Sequence, residues 1–265
     1  LDTVIASFLL TGAVSWLYYS DRLLEFPLGL FGIAIATVIL PTLSRMHANA
    51  SMDQFRATLD WALRFIALFG LPAMAALMVL GKPIIAVLFM RGEFTALDVD
   101  KVSYSLFAYA CGLFSFMLIK ILAPAYYARQ DMKTPVRIGI IAMVANMGLN
   151  LLLAPFLSYV GLALATALSA SLNAFLLYRG LKAIGVYQIS SFSLWFLVRV
   201  VAASFSMAAL LWWWLPEMSY WYQQSMGWQL QQLLFICLLG GASYFALLAL
   251  FGGRPAHIRR QRHSG

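Results

Sequence analysis

Charged side chains are scarce in this sequence. Of its 265 residues, 11% are charged and 63% are hydrophobic, and the mean hydropathy is +0.83. Soluble domains carry about 25% charged residues. A water-soluble fold cannot bury so much apolar surface. The composition therefore predicts an all-α integral membrane protein with several spans of about 20 apolar residues each, because an α-helix satisfies its own backbone hydrogen bonds in lipid.

The residues that usually carry enzyme chemistry are also few. Cys111 and Cys237 lie in apolar runs, which favours small buried side chains over a disulfide or metal ligands. The sequence has no glycine-rich phosphate loop, no pair of histidines or cysteines at metal spacing, and no nucleophile with a nearby base. We therefore expect a protein that is not an enzyme and has no resident cofactor. The net charge of +8 in so apolar a chain points to membrane topology, with no nucleic acid as a partner.

Apolar runs predict a polytopic helix bundle with seven complete spans. Residues 1–10 read as the end of a helix that begins earlier, so we expect the C-terminal part of a longer chain. The apolar run near residues 83–92 is too short to cross a bilayer and predicts a short interfacial or re-entrant helix, and residues 44–65 read as an amphipathic linker. The predicted spans are 15–41, 60–80, 103–127, 136–156, 160–178, 193–215 and 229–251.

Basic residues alternate between the two sets of connections. Twelve lie in one set, which includes the C-terminal tail 253–265, and three lie in the other. Cytoplasmic loops carry the excess of Lys and Arg. This rule places the C-terminus in the cytoplasm. The opposite connections include an aromatic-rich stretch, "WWWLPEMSYWY", of the kind that lies at a membrane interface.

Three charges stand at the start of the first span, in "YYSDRLLEFP". Arg22 and Glu25 share a helix face, and Asp21 is a second counter-charge. Pro27 predicts a kink just after them. The group is either a structural ion pair or an arginine kept for an anionic substrate, since a guanidinium suits phosphate oxygens. Lys120, within another span, either extends to the interface or adds a second positive group to the same cavity.

Uncharged polar residues form a third candidate group. Asn146 and Asn150 are four residues apart, Thr166 lies in the next span, and Asp2 stands near the first residue. Carboxylate, amide and hydroxyl oxygens are ligands for a hard cation. The same side chains also form hydrogen bonds between membrane helices. Both interpretations stay open on the residues alone.

Three segments carry a family resemblance: "SWLYYSDRLLEFPLGLFGIAIATVILPTLSR", "VLFMRGEFTALD" and "LAPAYYARQDMKTPVRIGI". Together they resemble the MurJ (MviN) lipid II flippases, members of the MATE-like (MOP) exporter superfamily. The resemblance implies fourteen helices in two lobes with a terminal pair. Residues 1–10 would then end the seventh helix, 11–183 would form the C-terminal lobe, and 184–252 would form two terminal helices with a groove for a lipid tail.

The resemblance also implies a function. Such a protein moves undecaprenyl-pyrophosphate-linked peptidoglycan precursor, lipid II, across the bacterial inner membrane by alternating access. Arg22, with Asp21 and Glu25, would bind the substrate together with Lys120, and Pro27 would act as a hinge. Sodium is implied at Asp2, Asn146, Asn150 and Thr166, and a proton gradient or the membrane potential is the other driving force. The implied partners are lipid II, membrane lipids, the N-terminal lobe and cell-wall synthesis enzymes.

Two other functions fit the sequence. A related exporter would carry another polyprenyl-linked saccharide or drugs, and a drug exporter would present acids and aromatics in its cavity rather than Arg22 and Lys120. A non-transporting scaffold for cell-wall enzymes would tolerate loss of Arg22 without any change beyond folding. The behaviour of an Arg22→Ala variant therefore separates the scaffold from the flippase.

Overall fold

The computed structural model describes residues 12–252 of the chain. Within them the chain is helical, and the predicted helix bundle is confirmed. Asp2, the opening segment and the basic tail 253–265 lie outside the described residues. The helices are α1 (Ala13–Ala48), α2 (Met52–Phe89), α3 (Ala96–Tyr127), α4 (Lys133–Ala183), α5 (Ser191–Trp214), α6 (Met218–Gln223) and α7 (Met226–Leu250).

All helices but α6 are long and apolar enough to cross a membrane. The starts of α3, α5 and α7 are capped by side chains, which satisfy backbone amides that have no partner within the helix. Thr95 and Asp98 form a reciprocal capping box at the start of α3, and the Ser190 hydroxyl accepts a hydrogen bond from the Ser193 amide at the start of α5.

Helix α4 is a hairpin of two arms rather than one straight rod. Ser158 has non-helical torsion angles of φ 53° and ψ −137°. Asn146 Nδ2 lies 3.4 Å from Ser169 Oγ although the residues are 23 apart in sequence, a distance of about 35 Å along a straight helix. The arms before and after Ser158, α4a and α4b, correspond to the predicted spans 136–156 and 160–178.

The structure differs from the sequence-based prediction around residues 83–92. The prediction of a separate short interfacial helix is wrong, because the residues up to Phe89 form the last turns of the 38-residue helix α2. Pro83 lies inside the helix, and Gly81 leaves room for Leu106 of α3, whose Cδ2 would lie 3.2 Å from an added Cβ. The predicted amphipathic linker at 44–65 is mostly helical, with a turn between Ala48 and Met52.

The two ends of the bundle carry the two sets of connections. At one end, Arg56 Nε donates to the Val186 carbonyl at 3.1 Å. At the other, Trp16 Nε1 donates to Asp98 Oδ1 at 2.9 Å, and the Tyr159 hydroxyl donates to the Lys101 carbonyl at 3.1 Å. We call the first the basic end and the second the opposite end. The described basic connections thus meet at one end of the fold.

Helix α2 lies centrally and joins the first helices to the last two. It packs against α1, α3, α5 and α7, and α5 packs against α7. The Tyr244 hydroxyl of α7 donates to the Leu68 carbonyl of α2 at 2.7 Å. Helix α3 packs most closely on α4, where a Cβ on Gly112 would lie 2.7 Å from the Ala167 Cα. Such small-residue contacts let membrane helices approach closely.

Candidate functional site

Arg22 lies on a face of α1 that the rest of the described chain leaves open. Its Nη1 is 2.6 Å from Glu25 Oε2, and the two side chains are 53% and 51% exposed. The guanidinium also stands 5.0 Å from the centre of the Tyr18 ring. Asp21 is half-buried beside it. The structure therefore brings Arg22 and Glu25 together on an accessible surface, about three turns into the helix from the opposite end.

Lys120 is exposed but lies far from Arg22 along the bundle. Helices α1 and α3 run in the same direction, and the bond between Trp16 and Asp98 fixes their relative register. Lys120 is then roughly 24 Å closer to the basic end than Arg22, at 1.5 Å per residue. A single phosphate group therefore cannot contact both side chains at once. The two residues lie at different depths of the bundle.

Pro27 is followed directly by a π-helical segment, Leu28–Ile33. A proline has no backbone N–H to donate, and π-helical turns in α-helices are frequent at functional sites. Gly32 is buried there, and a Cβ at this position would lie 3.7 Å from Met117 of α3. The predicted irregularity after the charged group is thus present, while its role as a hinge stays a prediction.

Three of the four candidate sodium ligands lie together between the arms of α4. Asn150 is fully buried and donates to Asn146 Oδ1 at 3.1 Å, and Asn146 Nδ2 lies 3.4 Å from Thr166 Oγ1. The Thr166 hydroxyl donates to the Leu162 carbonyl at 3.0 Å. The oxygens gathered here are neutral. The described residues hold no cluster of three or more histidine, cysteine or acidic residues.

These donors fit a monovalent cation in type, because amide, hydroxyl and carbonyl oxygens bind hard cations. They also hold one another in hydrogen bonds that explain the cluster without an ion. Turning the Asn146 amide by half a turn would bring its oxygen toward Thr166. The Asn150 amide would have to turn with it, because the two amide nitrogens would otherwise face each other. Asp2, the one acid in the predicted set, lies outside the described residues.

Helices α5 and α7 form an apolar groove with α2, which we call the terminal groove. Its cavity is about 230 Å³ and is lined by Phe69 and Pro72 of α2, Met207 of α5 and Gly240 of α7, among others. Gly240 fits against Leu211, whose Cδ1 would lie 3.2 Å from an added Cβ. Only Arg199 adds charge to these two helices, and its Nη1 donates to the Gly252 carbonyl at the basic end.

A buried polar cluster at the basic end was missed by the sequence-based reasoning. Asp60 accepts hydrogen bonds from the Tyr187 hydroxyl at 2.7 Å and the Ser193 hydroxyl at 2.8 Å. Its Oδ2 is also 2.8 Å from Arg64 Nη2, and both side chains of this pair are largely buried. Burial and the Asp60 carboxylate raise the pKa of the Tyr187 phenol well above its usual range. We call these four residues the Asp60 cluster.

The Asp60 cluster joins α2, the connection before α5, and α5 itself. The sequence does carry one signal for it, since Asp60 and Arg64 have the i, i+4 spacing of a helical ion pair. Tyr187 and Ser193 are 127 and 133 residues away from Asp60, and no local pattern relates them to it. The cluster attaches the terminal pair to the rest of the bundle.

Known proteins resemble this chain in sequence over nearly its whole length. A family model described as lipid II flippase MurJ matches residues 1–231. A probable lipid II flippase MurJ of Vibrio cholerae is 57% identical over 258 residues, which is 97% of this chain and 49% of that protein. A probable lipid II flippase MurJ of Haemophilus influenzae is 56% identical, over 97% of this chain and 52% of that protein. The lipid II flippase MurJ of Burkholderia cenocepacia is 39% identical, over 98% and 51%.

A solved structure agrees with the sequence comparison. A structure of lipid II flippase MurJ in an inward closed conformation superposes with a TM-score of 0.79 at 25% identity, covering 94% of this chain and 49% of that one. The chain spans about half the length of the relatives it matches. The sequence identity to these relatives agrees with the family model and with the multi-pass helical fold. The chain belongs to the lipid II flippase MurJ family.

Proposed function

We propose that this chain supplies one lobe and the terminal helix pair of a lipid II flippase, which moves undecaprenyl-pyrophosphate-linked precursor from the inner to the outer leaflet. Family membership supports the substrate. The observation that carries the proposal is Arg22, a half-exposed guanidinium about three turns inside an apolar helix. An ionisable group at such depth faces a watery cavity or a partner and is functional by default.

The surroundings of Arg22 suit a reversible anion contact. Glu25 holds the guanidinium in place, and ion pairs this exposed contribute little free energy. A pyrophosphate can therefore replace the carboxylate at small cost and gain a two-pronged charge-assisted contact. Asp21 lies beside the pair and favours later release by competing for the same guanidinium. The open face of α1 would be completed by a second lobe, the partner that we expect across the cavity.

Movement in this proposal comes from α1. The π-helical segment after Pro27 weakens the regular hydrogen-bond ladder in mid-helix. The half that carries Arg22 is tied to α3 by Trp16 and Asp98, and the other half packs on α2 and α3. Bending at the segment would let the two halves follow different parts of the bundle during alternating access. Lys120, about 24 Å closer to the basic end, would meet the headgroup at an earlier stage than Arg22.

The proposal also covers the lipid tail, the orientation in the membrane, the driving force and further partners. The terminal groove would hold the polyprenyl tail, because it is apolar and lies between the last two helices and α2. The basic end would face the cytoplasm of a bacterium with the chain in its inner membrane. Sodium would bind at Asn146, Asn150 and Thr166 with Asp2, and a proton gradient or the membrane potential is the other driving force. Cell-wall synthesis enzymes would be further partners.

Complementation tests the proposal. The full-length protein, with Arg22→Ala, Arg22→Lys or Arg137→Ala, would be expressed in bacteria depleted of their own flippase, with membrane amounts matched by immunoblot. Arg137 is an exposed arginine near the start of α4 and serves as the control. We expect rescue by the wild type and by Arg137→Ala, no rescue by Arg22→Ala, and weak rescue by Arg22→Lys, which keeps the charge but loses the planar fork.

Each other outcome has a definite meaning. Failure of a well-expressed wild type would contradict lipid II as the substrate and favour another polyprenyl-linked saccharide or a drug. Full rescue by Arg22→Ala would contradict the role of Arg22 and favour a structural ion pair. Such rescue together with an absence of lipid II movement in a flipping assay would favour the non-transporting scaffold.

A further inference from the structure

Two cavities adjoin at the basic end, on either side of the Asp60 cluster. The first, of about 280 Å³, lies between α2, α3, α4b and α5, and its walls include Leu63, Phe114 and Ala174. The second, of about 350 Å³, is more polar and is lined by Arg56 and Gln188, among others. Asp60, Arg64 and Tyr187 line both cavities. An apolar space and a polar space thus meet at three shared side chains.

The first cavity has the chemistry of a hydrocarbon site. Apart from the cluster, its walls are almost entirely apolar, and a dry apolar cavity of about 150 Å³ already binds a small hydrocarbon. Two wall residues, Phe175 and Ile189, are 57% and 37% exposed on the outside of the bundle. In a membrane that outer surface faces acyl chains, so a chain can enter from the bilayer between these residues.

The second cavity has the charge of an anion site. Two guanidinium groups, Arg56 and Arg64, border it, and Asp60 is the one carboxylate that the described residues contribute to its walls. Arg56 Nε and Nη2 donate to the carbonyls of Val186 and Gly185, which hold the guanidinium plane in position. Its Nη1 lies 3.6 Å from Asp53, a carboxylate whose side chain is 99% exposed. Asp53 does not line the cavity, so the two guanidinium groups and the Asp60 carboxylate leave one net positive charge on the described walls.

We propose that these paired cavities bind one anionic glycerophospholipid of the leaflet at the basic end. Its phosphodiester contacts Arg56 in the polar cavity, and one of its acyl chains occupies the apolar cavity. A glycerophospholipid has a charged headgroup joined directly to acyl chains. It can therefore place one part in each of two adjoining cavities, one polar and one apolar. A monoanionic phosphodiester also matches the remaining charge, and a guanidinium fork suits its oxygens.

This lipid site is separate from Arg22 and from the terminal groove. It lies where α5 attaches to α2, and the lipid would contact both helices as well as α4b. A bound lipid stabilises the state in which its site is formed. The lipid would therefore hold the terminal pair in its observed position against the lobe, whatever substrate the protein carries.

Native mass spectrometry of the purified full-length protein tests the site. Phosphatidylglycerol would be titrated against phosphatidylcholine with identical acyl chains. Arg56→Gln removes the phosphate contact, Ala174→Leu fills part of the apolar cavity, and Arg179→Gln removes an exposed arginine at the same end as the control. We expect phosphatidylglycerol to bind more tightly than phosphatidylcholine, and the first two variants to weaken its binding roughly tenfold.

The control should leave the affinity unchanged, and Arg56→Lys should give a smaller loss because it keeps the charge. Thermal unfolding would verify that each variant folds, and Ser171→Leu narrows the same cavity should Ala174→Leu fail that test. Equal affinity for the two lipids, or equal losses in Arg56→Gln and Arg179→Gln, would overturn the proposal. Competition by soluble glycerol phosphate would show a free-anion site, and displacement by polyprenyl phosphate would show a substrate site.

Discussion

The chain contains two arginine–carboxylate pairs of nearly the same geometry in very different surroundings. Arg22 and Glu25 are 2.6 Å apart on the open face of α1, with side chains about half exposed. Arg64 and Asp60 are 2.8 Å apart at the basic end, with side chains 16% and 14% exposed. The buried carboxylate also accepts hydrogen bonds from Tyr187 and Ser193. Beside the exposed pair stand the ring of Tyr18 and the half-buried Asp21.

Burial changes what each pair can do. Separating a buried pair leaves a charge in a medium that solvates it poorly. The Asp60 cluster is therefore a permanent contact between α2 and α5. Separating an exposed pair costs little, because water or another anion replaces the lost partner. The same two side-chain types therefore serve as an attachment in one place and as an exchangeable contact in the other. Three measurements test this comparison.

The largest effect is expected for Asp60→Ala. This change removes the acceptor of two hydroxyl groups and the carboxylate of the Arg64 pair, and it should lower the free energy of unfolding by about 3 to 5 kcal/mol. Reversible unfolding of the full-length protein in mixed micelles would measure it. Asp53→Ala is the matched control, since Asp53 is almost fully exposed and should change stability very little. A loss of unfolding free energy for Asp60→Ala as small as that of the control would contradict a permanent structural role for the Asp60 cluster.

A smaller effect is expected when one hydroxyl donor is removed. Ser193→Ala and Tyr187→Phe should each lower the free energy of unfolding by about 1 kcal/mol, the usual worth of one hydrogen bond. Ser204→Ala in the same helix is the control, because the Ser204 hydroxyl donates at 2.8 Å to Val200 of its own helix. The two cluster variants should also combine non-additively, since both donate to Asp60. Simple additivity would show that the hydroxyl groups act independently.

The smallest effect on stability is expected for the Arg22 pair. A double-mutant cycle with Arg22→Ala and Glu25→Ala should give no measurable coupling, because exposed pairs at this spacing often contribute nothing. The same cycle for Arg64 and Asp60 should give a clear coupling. A strong coupling between Arg22 and Glu25 would break the comparison and indicate that the exposed pair is structural.

Much of the fold follows from the sequence because lipid imposes a simple rule on it. Each long apolar run had to be a helix, and the short break in "PFLSYVG" lies at the turn that Ser158 makes in α4. The rule fails where a helix extends past the apolar layer. Residues up to Phe89 continue α2 because packing of Gly81 against Leu106 supports the extra turns. The length of an apolar run alone does not show where such a helix ends.

The candidate site was predictable only in part. Arg22 and Lys120 stand out because charge is rare within apolar runs, and Asn146 and Asn150 share a helix face by their spacing. Thr166 joins them only because the turn at Ser158 folds the second arm of α4 against the first. The axial distance between Arg22 and Lys120 depends on the register of α1 and α3, which a bond between residues 82 apart sets. The Asp60 cluster likewise depends on contacts between distant segments. Local sequence patterns reveal unusual residues but not which of them meet.

The hairpin of α4 also bears on how the chain enters the membrane during synthesis. Asn146 in the first arm finds hydroxyl partners in the second arm, at Thr166 and Ser169. Either arm inserted alone would present these groups to hydrocarbon, where polar atoms are costly. The turn at Ser158 lets the arms shield one another as soon as both have been made. We therefore expect the two arms to insert as one unit, with the first arm more stable in lipid once the second has been made.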